Sequence, residues 1–290
     1  MRPRIVEYFD RALGLHVFGW IIPTPQVIYA IAFVVVVWMF ARRCQAAGLE
    51  KGIALDSCIT GGIAAMVMSR LVYVVFYMGN LPAGLKSLLS AGGTASWGVY
   101  GGALVGAYLY LRAKKQPVLK YLDILATVLP LGTFIGRWSC FMHGCDYGTI
   151  TNVPWGVRYP AGSLAHAAHV NDFLIDPTSQ LSLTVHPNQI YLSLNALVIF
   201  VLITWIWKHF RNRPGLTLGF YGLAYGCSRF LLEFFRDVPG TRLIPALNPP
   251  QVASTIVAAS SLLLIMGILF SASTSRDRAG NLGINRNMGG

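Results

Sequence analysis

Charge is what this chain has least of. Only 12% of its 290 residues are Asp, Glu, Lys or Arg, against about 25% in an ordinary soluble domain. Acids are the scarcer kind, 11 against 23 bases. With 54% hydrophobic residues and a mean hydropathy of +0.55, this excludes a soluble globular enzyme and a disordered polar chain. Cysteine is sparse as well. Cys44, Cys58, Cys140, Cys145 and Cys227 are odd in number, scattered and mostly set in apolar runs, which excludes a disulfide scaffold. The four-residue gap between Cys140 and Cys145 is not a zinc-site spacing. Both read as packing residues or reduced thiols, and neither a metal nor a cofactor is expected. No uncharged apolar stretch follows a short basic start: Arg2, Arg4, Glu7, Asp10 and Arg11 crowd it, so no signal peptide is expected.

Apolar length is what the chain has instead. Seven segments, at 25–41, 53–78, 97–112, 121–142, 188–207, 216–235 and 250–271, come near the roughly 20 residues a membrane span needs. The third is short and rich in glycine. Lipid offers backbone groups no partners and no alternating barrel pattern is present, so the spans must be helices. The fold expected is an all-α integral membrane protein of about seven transmembrane helices. Residues 1–271 form the membrane domain, interrupted by a long polar loop at 143–187; 272–290, rich in Ser, Gly, Asn and Arg, read as a disordered tail.

The net charge of +12 fits basic loops beside anionic lipid, with no call for nucleic acid. Of the 23 Lys and Arg, thirteen lie at one set of helix ends, from Arg42 and Arg43 to Arg286. Seven lie at the other, from Arg2 to Arg242. By the positive-inside rule the richer set faces the cytoplasm. The N-terminus and the 143–187 loop then face outward, and the C-terminus lies inside.

Arg70, Asp123, Arg137, Arg229 and Glu233 fall within the spans. Charge at that depth is costly and usually faces a bundle interior or a cavity. The orientation puts Arg70, Arg137 and Arg229 in the outer half of the membrane, and Arg229 and Glu233, four apart, share a helix face. Structural ion pairs with snorkelling ends are one account. The other is an anion site, for which lipid phosphate is the anion at hand. His143, with an ordinary pKa near ~6.5, is either a general base or an interfacial hydrogen-bonding residue. His186, just before Pro187, reads as a helix-entry residue. The arginines alone would also allow an anion or lipid-phosphate transporter, but no internal repeat or pair of matching broken helices supports one.

Several patches carry a resemblance. Gly136-Arg137, Cys140-Phe141 and Gly144-Cys145-Asp146-Tyr147-Gly148 together resemble the cysteine-containing signature of the prolipoprotein diacylglyceryl transferase family. Val153-Pro154-Trp155-Gly156 with Tyr159-Pro160, and His186-Pro187-Asn188-Gln189-Ile190-Tyr191, resemble two further segments. So do Tyr225-Gly226-Cys227-Ser228-Arg229 with Glu233-Phe234-Phe235-Arg236, and Arg70 with Tyr73 and Tyr77. The resemblance implies a seven-helix enzyme of the bacterial inner membrane. Such an enzyme moves the diacylglyceryl group of phosphatidylglycerol to the lipobox cysteine in the signal peptide of a preprolipoprotein and releases glycerol phosphate. It implies that Arg137 and Arg229 hold the phosphate, that Glu233 orients Arg229, and that Tyr29, Gly98, Gly148 and Tyr225 shape the lipid site, with Arg70, His186 and Gln189 among the substrate-binding positions. Three positions depart from the commonest pattern. Tyr100 stands where the family commonly has a histidine, and Cys140 and Cys145 replace an asparagine and a glutamate. A tyrosine of pKa about 10 is a poor base at neutral pH. The site therefore either needs no base there, or uses His143 or His186, or belongs to a divergent paralogue that binds phosphatidylglycerol or modifies another acceptor.

Overall fold

The computed structural model describes residues 15–17, 20–22, 24–77, 96–236 and 247–287. Helices dominate it. A short antiparallel hairpin, β1 (Leu15–Val17) and β2 (Trp20–Ile22), comes first. It is followed by α1 (Thr24–Ala46), α2 (Lys51–Tyr77), α3 (Ser96–Ala113) and α4 (Val118–His143). Then come the short α5 (Leu164–Asn171), α6 (Asn188–Phe210), α7 (Leu216–Leu232) with a 3-10 turn at Glu233–Phe235, and α8 (Pro249–Asn287).

A helix stands at each of the seven expected places, and among the described residues five stretches are long and apolar enough to cross a membrane: Pro25–Ala46, Lys51–Val74, Val118–His143, Asn188–Phe210 and Pro250–Ser271. The other two, α3 and α7, have 18 and 17 residues and carry several glycines each. The backbone of α8 continues as helix to Asn287. A helix already nucleated by the apolar stretch extends at one hydrogen bond per residue, and no proline interrupts it there.

Four helix ends close in the same way. Gly48, Lys115, Gly144 and Phe173 have positive φ, and the next residue's N–H reaches back to the last helical turn: Leu49 to Cys44, Gln116 to Leu111, Cys145 to Cys140 and Leu174 to His169, at 2.9–3.2 Å. This is the Schellman arrangement, which satisfies orphan carbonyls.

The chain divides into two compact units, residues 37–124 and residues 1–36 with 125–290. Within the first, α2 and α3 lie in close contact. A Cβ added to Gly98 would come within 2.5 Å of the Met68 carbonyl oxygen, and one added to Gly106 within 2.5 Å of the Ala64 Cβ. Together with Gly102, these glycines make a small-residue ridge of the kind that joins membrane helices. Tyr110 donates to Asp56 Oδ2 at 2.7 Å, and Phe40 meets the buried Tyr121 edge-on.

In the second unit, Ser193 of α6 donates to the Phe134 carbonyl of α4 at 2.9 Å, and Asn195 of α6 donates to Ser228 of α7 at 3.0 Å. Gly219 and Gly226 of α7 leave room for Ile265, Ser254 and Ala258 of α8. The polar stretch between α4 and α6 is folded. Tyr147, Tyr159, Ala165 and Val185 form a buried cluster. Val185 pairs with both Ile150 and Val157, and Ser163 caps α5 by accepting from the His166 N–H. At only eight residues α5 is too short to show a helical period, and the Leu183 N–H beside it donates to His169 Nδ1 at 3.2 Å.

Candidate active site

The last turns of α4 carry Arg137 and end at Gly144. The left-handed turn there, continued by Asp146 at φ 57°, folds the chain back so that the Asp146 carboxylate faces the helix it has just left. Arg137 donates to Asp146 Oδ2 at 2.7 Å, and Arg236 donates to Asp146 Oδ1 at 2.5 Å. Arg236 also reaches Glu233 Oε1 at 3.3 Å, and Arg229 pairs with Glu233 Oε2. Arg229 and Glu233 share a helix face, Arg236 follows the 3-10 turn with extended backbone, and Asp146 links Arg236 to Arg137. The result is one chain of ion pairs, Arg137–Asp146–Arg236–Glu233–Arg229. The Glu233 side chain is fully buried. Removing one partner of such a pair strands a charge at a cost of about 3–5 kcal/mol. Burial pushes the Asp146 carboxyl up, but Arg236 and then Arg137 pull it down further, so it stays below the usual carboxylate range.

Arg137 and Arg229 line the same cavity, an open crevice of about 350 Å³ including its mouth. Its walls are Pro130 and Thr133 of α4, Leu192, Asn195, Ala196 and Ile199 of α6, and Tyr221 and Tyr225 of α7. Pro130 has no N–H to give the carbonyl one turn back, so α4 lacks a helical bond beside the cavity. Apolar walls with two guanidiniums suit an anion that carries a hydrophobic body, since arginine binds phosphate oxygens in a bidentate fork.

A family model described as prolipoprotein diacylglyceryl transferase matches residues 16–267. The chain belongs to the prolipoprotein diacylglyceryl transferase family. Its curated relatives are named phosphatidylglycerol–prolipoprotein diacylglyceryl transferase. The one from Rhizobium leguminosarum is 30% identical over 257 residues, covering 82% of this chain and 84% of its own. That from Methylocella silvestris is 31% identical over 74% of this chain and 78% of its own. That from Proteus mirabilis is 28% identical over 92% and 90%. The ion-pair chain and every cavity-lining residue named above fall inside the segment matched by the family model.

Of the residues singled out from the sequence of this family member, Arg137, Arg229, Glu233 and Tyr225 come together at the cavity and its ion pairs. Tyr29 lies half-exposed on α1, its hydroxyl 3.1 Å from Cys140 Sγ. Gly148 is pressed between other backbones: its N–H donates to the His186 carbonyl at 2.9 Å, and a Cβ would meet the Phe235 carbonyl at 2.5 Å. Gln189 is buried and donates to the Cys145 carbonyl at 2.6 Å, tying α6 to the turn after α4. His186 does not cap α6 with its side chain. The cap position is Pro187, and the His186 ring instead meets the Tyr191 hydroxyl at 3.1 Å and packs edge-on against Phe235. His143 is the last residue of α4 and is exposed, away from the cavity-lining set.

Arg70 and Gly98 belong to the other unit, where Gly98 serves helix packing. Tyr100 is a residue of α3 whose side chain, like that of Tyr77, lies outside the described residues. All five cysteines are free. Hydrogen bonding to the Cys140 side chain and burial push the Cys145 thiol far up, so it stays protonated.

Sequence reasoning missed Asp146 and Arg236 as members of the site. Arg236 was detectable from its three-residue spacing to Glu233. Asp146 was not, because its reach to Arg137 depends on the left-handed turn.

Proposed function

We propose that this chain transfers the diacylglyceryl group of phosphatidylglycerol to the lipobox cysteine of a preprolipoprotein, as a multi-pass protein of the bacterial inner membrane. The observation that carries the reading is that Arg137 and Arg229, brought from α4 and α7, line one apolar-walled cavity in a chain of this family. In this reading the seven helices all span, the 143–187 loop faces the periplasm, and the tail lies in the cytoplasm.

The chemistry is a displacement at carbon. The acceptor sulfur attacks the glyceryl carbon bonded to the phosphodiester oxygen. A C–S bond forms, that C–O bond breaks, and glycerol phosphate leaves with the electron pair. The thiol proton goes to solvent or to the leaving phosphate. A free thiol near pKa ~8.5 ionises more readily beside guanidiniums. The same groups stabilise charge growing on the departing oxygen. Glu233 holds Arg229 in place. No base is needed if the arginines lower the thiol pKa enough.

The test is complementation of a bacterium lacking its own diacylglyceryl transferase, with mass spectrometry of a lipobox peptide. The expected result is growth and the diacylglyceryl mass increment on cysteine. Full expression in the membrane with neither growth nor modified peptide overturns the reading.

A further inference from the structure

Asp146 lies against the cavity's arginine without lining the cavity itself. Its two carboxylate oxygens are divided between Arg137 and Arg236, so its negative charge acts directly on the guanidinium that faces the ligand. Among the described residues, this chain of pairs sets three guanidiniums against two carboxylates. The left-handed φ of 57° at a non-glycine residue is an uncommon conformation, and here it aims the carboxylate at Arg137. That amounts to a fixed negative charge beside an anion site, which weakens attraction for any anion. The penalty grows with the anion's charge. A phosphodiester carries one negative charge. A phosphomonoester approaches two above its second pKa of about 6.

We propose that Asp146 is a specificity-determining residue that makes the site prefer a phosphodiester monoanion over a phosphomonoester dianion. This rests on the lipid-phosphate reading of the cavity given above and extends it. A substrate diester is held, and a product monoester, which an uncompensated arginine pair would grip more tightly, is let go. Asp146 does so by positioning and partly neutralising Arg137, without touching substrate.

The experiment compares two lipids with identical acyl chains on the purified full chain in neutral detergent micelles at pH 8. Phosphatidylglycerol supplies the diester and phosphatidic acid the monoester, each displacing a fluorescent phosphatidylglycerol. Wild type is expected to favour the diester. Asp146→Asn keeps the side-chain shape and removes the charge. It should move the affinity ratio about tenfold toward phosphatidic acid, the size of one unit-charge interaction at a partly buried site. Asp146→Glu should return most of the preference. Arg236→Gln removes a positive charge from the same chain of pairs and should move the ratio the opposite way, so the idea stays testable if Asp146→Asn folds poorly. A ratio unchanged in folded Asp146→Asn, or shifts of the same sign in Asp146→Asn and Arg236→Gln, overturns the proposal. If wild type binds neither lipid above a phosphatidylcholine background, the lipid-phosphate reading itself falls, and this inference with it.

Discussion

At the scale of single residues, the choice of arginine at 137 and 229 is the most specific feature of the site. A planar fork presents two parallel N–H bonds to one phosphate, whereas a lysine at the same place offers a point charge on a flexible stem. Arg137→Ala and Arg229→Ala are each expected to lower turnover at least about 100-fold, as loss of a preorganised donor to developing charge does. The lysine variants should recover little. Peptide lipidation by purified enzyme measures this, and normal turnover in either alanine variant would show that the phosphate is held elsewhere. The Arg229 variant should also lose stability, because Glu233 is fully buried and would keep only its 3.3 Å contact with Arg236. Asp146 gives a prediction in pH. Its carboxyl is held below the usual range by Arg236 and Arg137. Its contribution to stability is therefore complete above the unfolded value near ~3.9 and is lost as pH falls through the lower folded value. Thermal melting in detergent should show Asp146→Asn less stable than wild type from pH 7 to pH 5, with the difference shrinking below about pH 4. A difference independent of pH would mean that the charge of Asp146 contributes nothing to folding.

At the scale of elements, glycine spacing separates packing from chemistry. Gly101 and Gly102 are neighbours in α3. A Cβ at Gly101 meets no atom within 4 Å, while one at Gly102 comes within 2.6 Å of the Met68 Cβ and 2.9 Å of the Ala64 carbonyl carbon. Gly101→Ala should leave the melting temperature unchanged or raise it slightly, since alanine replaces glycine inside a helix at a gain of about 0.5–1 kcal/mol. Gly102→Val should lower it by the equivalent of about 1–3 kcal/mol or more, because backbone must move to make room. Equal melting temperatures in the two variants would contradict the close approach of α2 and α3. The positions of such helices were legible in the sequence, because a run of apolar residues long enough to span reports itself. The apolar runs at 121–142 and 188–207 became Val118–His143 and Asn188–Phe210. The Arg229–Glu233 pair was equally legible from its four-residue spacing. The link from Asp146 to Arg236 was not, since its partners are 90 residues apart and meet only through a left-handed turn. The fold of the 143–187 stretch was hidden for a related reason. Val185 pairs with Ile150 and Val157, and such non-local pairing leaves no period in the chain.

At the scale of the whole molecule, the distribution of charge governs orientation. The +12 net charge is uneven, thirteen basic residues against seven at alternate ends of the apolar runs. Positive loops resist transfer across a membrane. The 23-residue α6 is about 34 Å long at 1.5 Å per residue, against a hydrocarbon core of about 30 Å. If α6 spans, its two ends lie on opposite sides. Lys208 lies in its last turn and Arg211 and Arg213 follow it, and Arg158 is the only Lys or Arg in the polar stretch before its N-terminal end. The expectation is that 143–187 faces the periplasm while the α6–α7 turn and the tail face the cytoplasm. Asn152 and Asn212 are both exposed and can be replaced singly by cysteine, as can Ser275 in the tail, with the wild type as the labelling baseline. A membrane-impermeant maleimide applied to intact spheroplasts should label Asn152→Cys. It should reach Asn212→Cys and Ser275→Cys only after lysis. Labelling of Asn152→Cys and Asn212→Cys from the same side would mean that α6 does not cross the membrane. Labelling of all three with sides exchanged would mean that the positive-inside count misassigns the orientation. The second result would also place the cavity arginines toward the cytoplasmic leaflet, where an acceptor peptide emerging on the periplasmic side could not reach them. Orientation and chemistry therefore stand or fall together in this protein.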